Sequence, residues 1–289
     1  MHEIRNSKQY QMNKFDYNSQ ATSSDEFQEY SRHFVDEFLK KAKIFPHLIV
    51  DLSFYPSQAA YKKENKRSYL GPIHSAIKDN CLTINLCEEI LKGIPFLALQ
   101  GWLDQELTCY LMETRPELYQ FNFRKQILPL FPASGSVVNL IRHIIEHLKS
   151  GLKRYHATKI IIDLDHGLSQ VYYHFFKISP SPEEKYNYQQ IIQHNWIRAT
   201  FLCQKLNEFM SICLLADRNI GFSRNLKSYW WNYNEYLLLE DKTLLEQIAA
   251  IPDKYVQKSF SYKLIEMFRK IQSCFFARPN QTMVSHALH

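Results

Sequence analysis

Glycine is scarce in this 289-residue chain, with seven residues against 19 phenylalanines and 18 tyrosines. A phosphate cradle of the G-x-G-x-x-G or G-x-x-x-x-G-K type needs closely spaced glycines so that backbone N–H groups can approach the anion, and neither pattern occurs. The same scarcity argues against repeats and flexible linkers. The six cysteines, Cys81, Cys87, Cys109, Cys203, Cys213 and Cys274, include no C-x-x-C pair. A zinc ribbon or thioredoxin-like site is therefore unsupported, and reduced, mostly buried thiols are expected. No run of about 18 apolar residues occurs, and residues 1–25 lack the apolar stretch of a signal peptide. A soluble, cytoplasmic protein without membrane insertion is expected. The net charge of +6 is not gathered into a basic stripe, so a nucleic-acid partner is not expected.

What is abundant is apolar: 45% hydrophobic residues are ample for a packed core. Residues 1–25 are rich in Asn, Gln, Ser and Lys and read as a flexible polar tail. Ser24 can cap a helix from about Asp25, in which Phe27, Tyr30, Phe34, Phe38 and Ala42 recur at helical spacing. Pro46 breaks it. Residues 47–54 are short, apolar and bounded by Pro56, as a strand should be. A polar interval follows at 61–66, then a second strand at 68–77 interrupted by Gly71 and Pro72, and a third at 81–86. Gly93 and Pro95 open a helix over 96–113. Past Pro129, Pro132 and Gly135 the spacing of Val137, Leu140, Ile141, Ile144, Ile145 and Leu148 predicts a long helix over 136–163, with Ser136 as its cap. After Pro180 and Pro182 the pattern is helical at 183–215, 226–251 and 261–276.

Residues 102–110 read Trp-Leu-Asp-Gln-Glu-Leu-Thr-Cys-Tyr. In the H-E-x-x-H pattern two His one helical turn apart bind zinc and the Glu is the general base. Here Glu106 holds the Glu position, while Gln105 and Cys109 stand where the two His would be. The order helix, three strands, Glu106 helix, second long helix resembles the core of the zincin metallopeptidases, of the small gluzincin type.

That resemblance implies an α+β fold, with a small, mostly antiparallel sheet and zincin-like helices followed by a mainly helical C-terminal half. It divides the chain into a tail at 1–25, a zincin-like core at 26–165 and a helical part at 166–289. It further implies that the Glu106 helix lies under the sheet and that strand 81–86 is the edge strand that takes extended peptide. The segment Arg154-Tyr155-His156-Ala157-Thr158 falls where the family often has Glu-x-x-Ala-Asp, so Arg154 replaces the third ligand with a cation that stands in for the zinc charge. The expectation is a pseudoenzyme: Glu106 a vestigial general base, Gln105, Cys109 and Arg154 lining a cleft that binds a peptide or protein partner, and no cofactor. A buried Glu106 would need a partner, expected to be Lys153, Arg154 or a histidine of the 143–156 stretch.

Two other readings stay open. His143-Ile-Ile-Glu146-His147 fits the inverted pattern H-x-x-E-H, in which both His bind zinc and Glu146 is the base of a hydrolase. A helical scaffold without cleft chemistry is the third. The aromatic cluster Tyr229, Trp230, Trp231, Tyr233 and Tyr236 reads as core with exposed polar tips. Lys62-Lys63-Glu64-Asn65-Lys66-Arg67 reads as a Lys-protected loop beside the sheet.

Overall fold

The computed structural model describes residues 23–42, 49–65, 73–78, 81–113, 115–130, 136–178 and 182–276. Helix α1 (Ser24–Ala42) buries Phe27, Phe34, Val35 and Phe38 on one face. Its cap is Ser23, whose Oγ accepts from the Glu26 N–H at 3.1 Å. Ser24, expected in that role, instead donates to Glu88 Oε2 at 2.6 Å, and Gln28 donates to Glu88 Oε1 at 2.8 Å. These two bonds clamp α1 onto the short α3 (Glu88–Leu91). Of the tail expected at 1–25, residues 1–22 lie outside the described residues, and residues 24 and 25 are helical.

Three strands form one sheet: β1 (Ile49–Tyr55), β2 (Ile73–Lys78) and β3 (Cys81–Cys87), in the order β1-β3-β2. β1 runs parallel to β3, with Leu52 opposite Ile84, and β2 runs antiparallel to it, with Ser75 opposite Ile84. Two expectations are corrected here. The sheet is mixed, one pair of each kind, rather than mostly antiparallel. β3 is the central strand rather than the edge, so both its backbone sides are already paired and no peptide can add to it. Its near-continuous burial, Leu82 and Ile84 to Cys87, is what a strand covered on both faces requires. The polar interval after β1 is itself a helix, α2 (Gln58–Asn65), which buries Tyr61 and leaves Lys62 and Lys63 in solvent.

Helix α4 (Phe96–Glu113) is enclosed around most of its circumference. Leu99, Leu103, Leu107 and Leu111 join α1 and the sheet in one core, to which Ile161 also belongs. α5 (Phe123–Gln126) leads to α6 (Ser136–Asp163), and α6 to α7 (Gly167–Lys177). The α6–α7 corner places Asp165 in the left-handed region at φ 65°. That conformation is one Asp tolerates better than most residues. The remaining helices are α8 (Pro182–Ile191), α9 (Asn195–Asp217), α10 (Ser223–Tyr233), α11 (Leu239–Ala249), α12 (Ile251–Lys254) and α13 (Phe260–Phe275). They build a second core on α6, whose Ile141, Ile144, Ile145, Leu148 and Leu152 meet Leu202, Leu206, Phe209 and Met210 of α9. The fold is thus α+β with a mainly helical C-terminal half, and α6 gives most of its apolar stripe to that half. Among the described residues no helix is long and apolar enough to cross a membrane.

Candidate functional site

One glycine decides how close two of the site's helices come. A Cβ at Gly101 on α4 would lie 2.2 Å from the Ser169 carbonyl oxygen and 2.7 Å from Tyr173 Cβ, so α7 rests directly on the α4 backbone. Gln170 Nε2 donates to the Gly101 carbonyl at 2.8 Å, and Trp102 meets the edge of Tyr173 at 5.4 Å. One turn along α4, Asp104 is fully buried. Its Oδ2 accepts from Ser169 Oγ at 2.9 Å and lies 3.1 Å from His166 Nδ1, while His166 Nε2 faces Glu37 of α1 at 3.6 Å. α1, α4 and α7 are locked together by these contacts.

The locked helices bring together Gln105, Glu106 and Cys109 of α4, Arg154 of α6, and Tyr173, His174 and Lys177 of α7. Glu106, Cys109 and Arg154, three of the positions named by the zincin resemblance, lie within electrostatic reach of one another, and Gln105, the fourth, neighbours Cys109. Glu106 accepts a hydrogen bond from Ser75 Oγ of β2. That corrects the expected ion pair: the partner is a strand hydroxyl, because β2 passes over this turn of α4, and Arg154 acts on the carboxylate only through space. Burial pushes the Glu106 carboxyl above the ordinary range, outweighing the lowering by Ser75, Arg154 and Lys177. Gln105 is buried and its Nε2 donates to Cys109 Sγ at 3.5 Å. Burial, and next the charge of Glu106, push the Cys109 thiol up to about 11. It stays a thiol at neutral pH, whereas zinc binds the thiolate.

Arg154 is half-buried and makes no hydrogen bond or ion pair with the described residues. Burial alone would lower its pKa, but Tyr173, Cys109, Glu208 and Glu106 together raise it, so it remains charged. His174 is 2% exposed and neither ring nitrogen has a hydrogen-bond partner among the described residues. Burial, then Lys177 and Arg154, push its pKa well down and hold it neutral. Lys177 closes the rim, 3.4 Å from Glu208 of α9 and donating to Tyr173 Oη at 3.2 Å. Ser75, Tyr173, His174 and Lys177 were not legible as site residues. The only local hint was the aromatic run 171–176 just past the long helix, which names a helix but not its neighbour.

The inverted motif is arranged differently. His143 and Glu146 face solvent, Glu146 pairs with Lys149 at 3.8 Å, and His147 is half-buried, its pKa lowered first by burial and then by His143. Among the described residues no group of three or more His, Cys, Asp or Glu side chains is gathered closely enough to hold a metal ion. In the aromatic cluster Trp230 is buried and stacks on Phe209 at 4.4 Å, Trp231 meets the same ring edge-on at 4.7 Å, and Tyr229 Oη donates to Tyr233 Oη at 2.8 Å. A cavity of about 380 Å³ between α7, α8, α9 and α10 is lined by Lys177, Glu184, Lys205, Glu208, Trp230 and Tyr236. Two pairs of its charges are matched, Lys205 with Glu184 at 2.5 Å and Lys177 with Glu208.

Glu106→Gln tests the electrostatics. A carboxyl whose folded pKa is raised keeps its proton where the unfolded chain releases it. Its contribution to stability is complete below the unfolded pKa and is lost as pH rises through the folded one. The glutamine variant has no such loss. Its stability relative to the parent should therefore climb as pH rises above the range in which an ordinary carboxyl ionises, measured as urea midpoints. A difference that is flat or falls with pH would contradict the assignment.

No protein-family model matches this chain, and neither a curated protein nor a solved structure similar to it was found.

Proposed function

We propose that the chain is a non-catalytic, zincin-like protein whose cleft between β2, α4, α6 and α7 binds an extended peptide segment of a partner. The observation that carries this reading is the contact between Ser75 of β2 and Glu106 of α4. It sets an antiparallel strand with a single strand neighbour among the described residues directly over the turn that holds the general-base position. Of the two strands that flank β3, β2 is the one that meets Glu106. A peptide adding there would gain main-chain hydrogen bonds that require no metal, and its side chains would reach Glu106, Cys109 and Arg154. Loss of catalysis follows from the residue types: Gln105 offers a neutral amide, Cys109 a protonated thiol and Arg154 a cation where anionic or imidazole ligands would be required.

Panning a library of random peptides against the full chain should return binders. Each binder should slow hydrogen exchange at the backbone amides of residues 73–78 while leaving β1 unchanged. Binders that protect β1 alone, binders that protect neither strand, or a library that yields no binders would each count against the cleft.

A further inference from the structure

We infer that the outward face of α7, together with the adjoining side of α10, is the surface on which a second copy of this chain docks to form a two-fold dimer. The helix is turned inside out. Ser169 and Gln170 point inward because α4 offers them acceptors, the Asp104 carboxylate at 2.9 Å and the Gly101 carbonyl at 2.8 Å, and His174 is buried one turn further on. With polar residues on the inner side, the 3.6-residue period sends Leu168, Tyr172, Phe175 and Phe176 to the outer one. Leu168 is 41% exposed, and Phe175 and Phe176 are each 38% exposed. Elsewhere among the described residues large exposed hydrophobic side chains occur one to an element, as on ordinary surfaces, whereas α7 carries three.

Ring contacts join these side chains to α10. Phe175 stacks on Tyr229 at 5.2 Å and meets Phe176 at 5.7 Å and Phe222 at 6.0 Å. Phe222 in turn meets Tyr172 at 5.2 Å, and Tyr229 meets Tyr233 at 4.5 Å. The patch is continuous and half-buried along its α10 edge. An aromatic side chain has about 150 to 250 Å² to bury, so these exposures leave on the order of 400 Å² of apolar surface in water. A standard interface takes about 800 Å² from each partner, a little over half of it apolar, so the patch is about the size of one partner's apolar share.

Charge selects the partner. Neither α7 nor α10 contains a carboxylate, and Lys177 at the end of α7 is paired with Glu208 at 3.4 Å. Arg224 and Lys227 lie on the far side of α10, around an open hollow shared with Asp217 and Glu246. The α10 rim beside the patch is Asn225 and Asn232, both exposed and each three residues past one of its rings, Phe222 and Tyr229. These two helices therefore offer no free charge to an acidic partner, a basic partner or an anionic membrane. In a two-fold contact a surface meets its own equivalents, so a charged patch on a chain of net charge +6 would repel its copy. An uncharged aromatic patch meets its copy without that repulsion, and an asparagine amide, which both donates and accepts, can bond to its own counterpart. The surface lies on the side of α7 turned away from α4, so it stands or falls independently of the peptide cleft.

Sedimentation velocity of the full chain over roughly 1 to 100 μM tests the contact. A species of twice 34.4 kDa should grow with concentration. Phe175→Ser combined with Phe176→Ser should weaken association by at least about tenfold, as removal of aromatic anchors does, while leaving the circular dichroism spectrum and melting temperature of the dilute protein unchanged. A parent that stays at 34.4 kDa throughout, or a double variant that associates as readily as the parent, would overturn the proposal. If the double variant does not fold, p-benzoylphenylalanine placed at position 176 of the otherwise unaltered chain decides. Irradiation should yield a crosslinked dimer in which position 176 is joined to residues 168–176 or 222–233 of the other copy. Crosslinks within one chain to residues 1–22 or 277–289 would assign the face to the chain's own ends, and crosslinks between copies outside the two expected segments would put the dimer contact elsewhere. Either result overturns the α7 dimer.

Discussion

Gly101→Ala should destabilise the protein by about 3 kcal/mol, the upper range for overpacking a closed core. Alanine is the better helix former by about 1 kcal/mol, so a free helix would gain from the change. Here the new methyl would sit 2.2 Å from the Ser169 carbonyl oxygen, a backbone atom that no rotamer change can move. Either α4 and α7 separate or both bend, and each route breaks the Gln170 to Gly101 hydrogen bond. Gly93→Ala is the internal control, since its Cβ would meet only the Ile90 carbonyl at 3.6 Å. At roughly 2 to 4 °C per kcal/mol for a chain of this size class, the melting temperature should fall by about 6 to 12 °C for Gly101→Ala. It should barely move for Gly93→Ala. Equal melting of the two variants would mean that the α4–α7 approach is not as close as described. Because Tyr173, His174 and Lys177 ride on α7, the same substitution should also shift the His174 signals.

A still larger loss is expected from Asp104→Ala, about 3 to 5 kcal/mol, the usual consequence of removing one member of a buried charged pair. Asp104 is 0% exposed and burial pushes its carboxyl pKa up despite the opposing pull of His166 and Ser169. Removing it leaves the His166 ring, itself buried, without its strongest acceptor, and Ser169 Oγ with only the His166 carbonyl. Asp104→Asn keeps an oxygen for Ser169 and should recover part of the loss. Chemical denaturation of the three forms provides the ranking, parent above asparagine above alanine. An alanine variant within about 0.5 kcal/mol of the parent would show that the network is not coupled to folding.

Much of the helical framework was legible because it is written locally. Gly93 and Pro95 mark the start of α4, and Pro132 and Gly135 precede α6, so both helices fall where punctuation and 3.6-residue spacing put them. Longer stretches were less legible. The helix expected at 183–215 is broken at 192–194, and that expected at 226–251 is broken where Asn234 folds back onto the Trp230 carbonyl at 2.8 Å. Neither break carries a proline or glycine. α7 was passed over because no proline or capping side chain marks its start: His166 at its N-cap makes no side-chain cap bond.

At the site, the sequence determined that Gln105 and Glu106 lie about one helical turn from Cys109, because residues three or four apart on a helix share a face. Only the tertiary structure decided that Arg154 of α6 comes near them, that β3 is central with β1 and β2 on either side, that Ser75 rather than a cation answers Glu106, and that Gly101 admits α7 with His174 and Lys177. Each of these is a contact between segments far apart in the chain. Period and propensity report which face of an element is apolar, but which element covers that face is fixed by the packing of the whole fold.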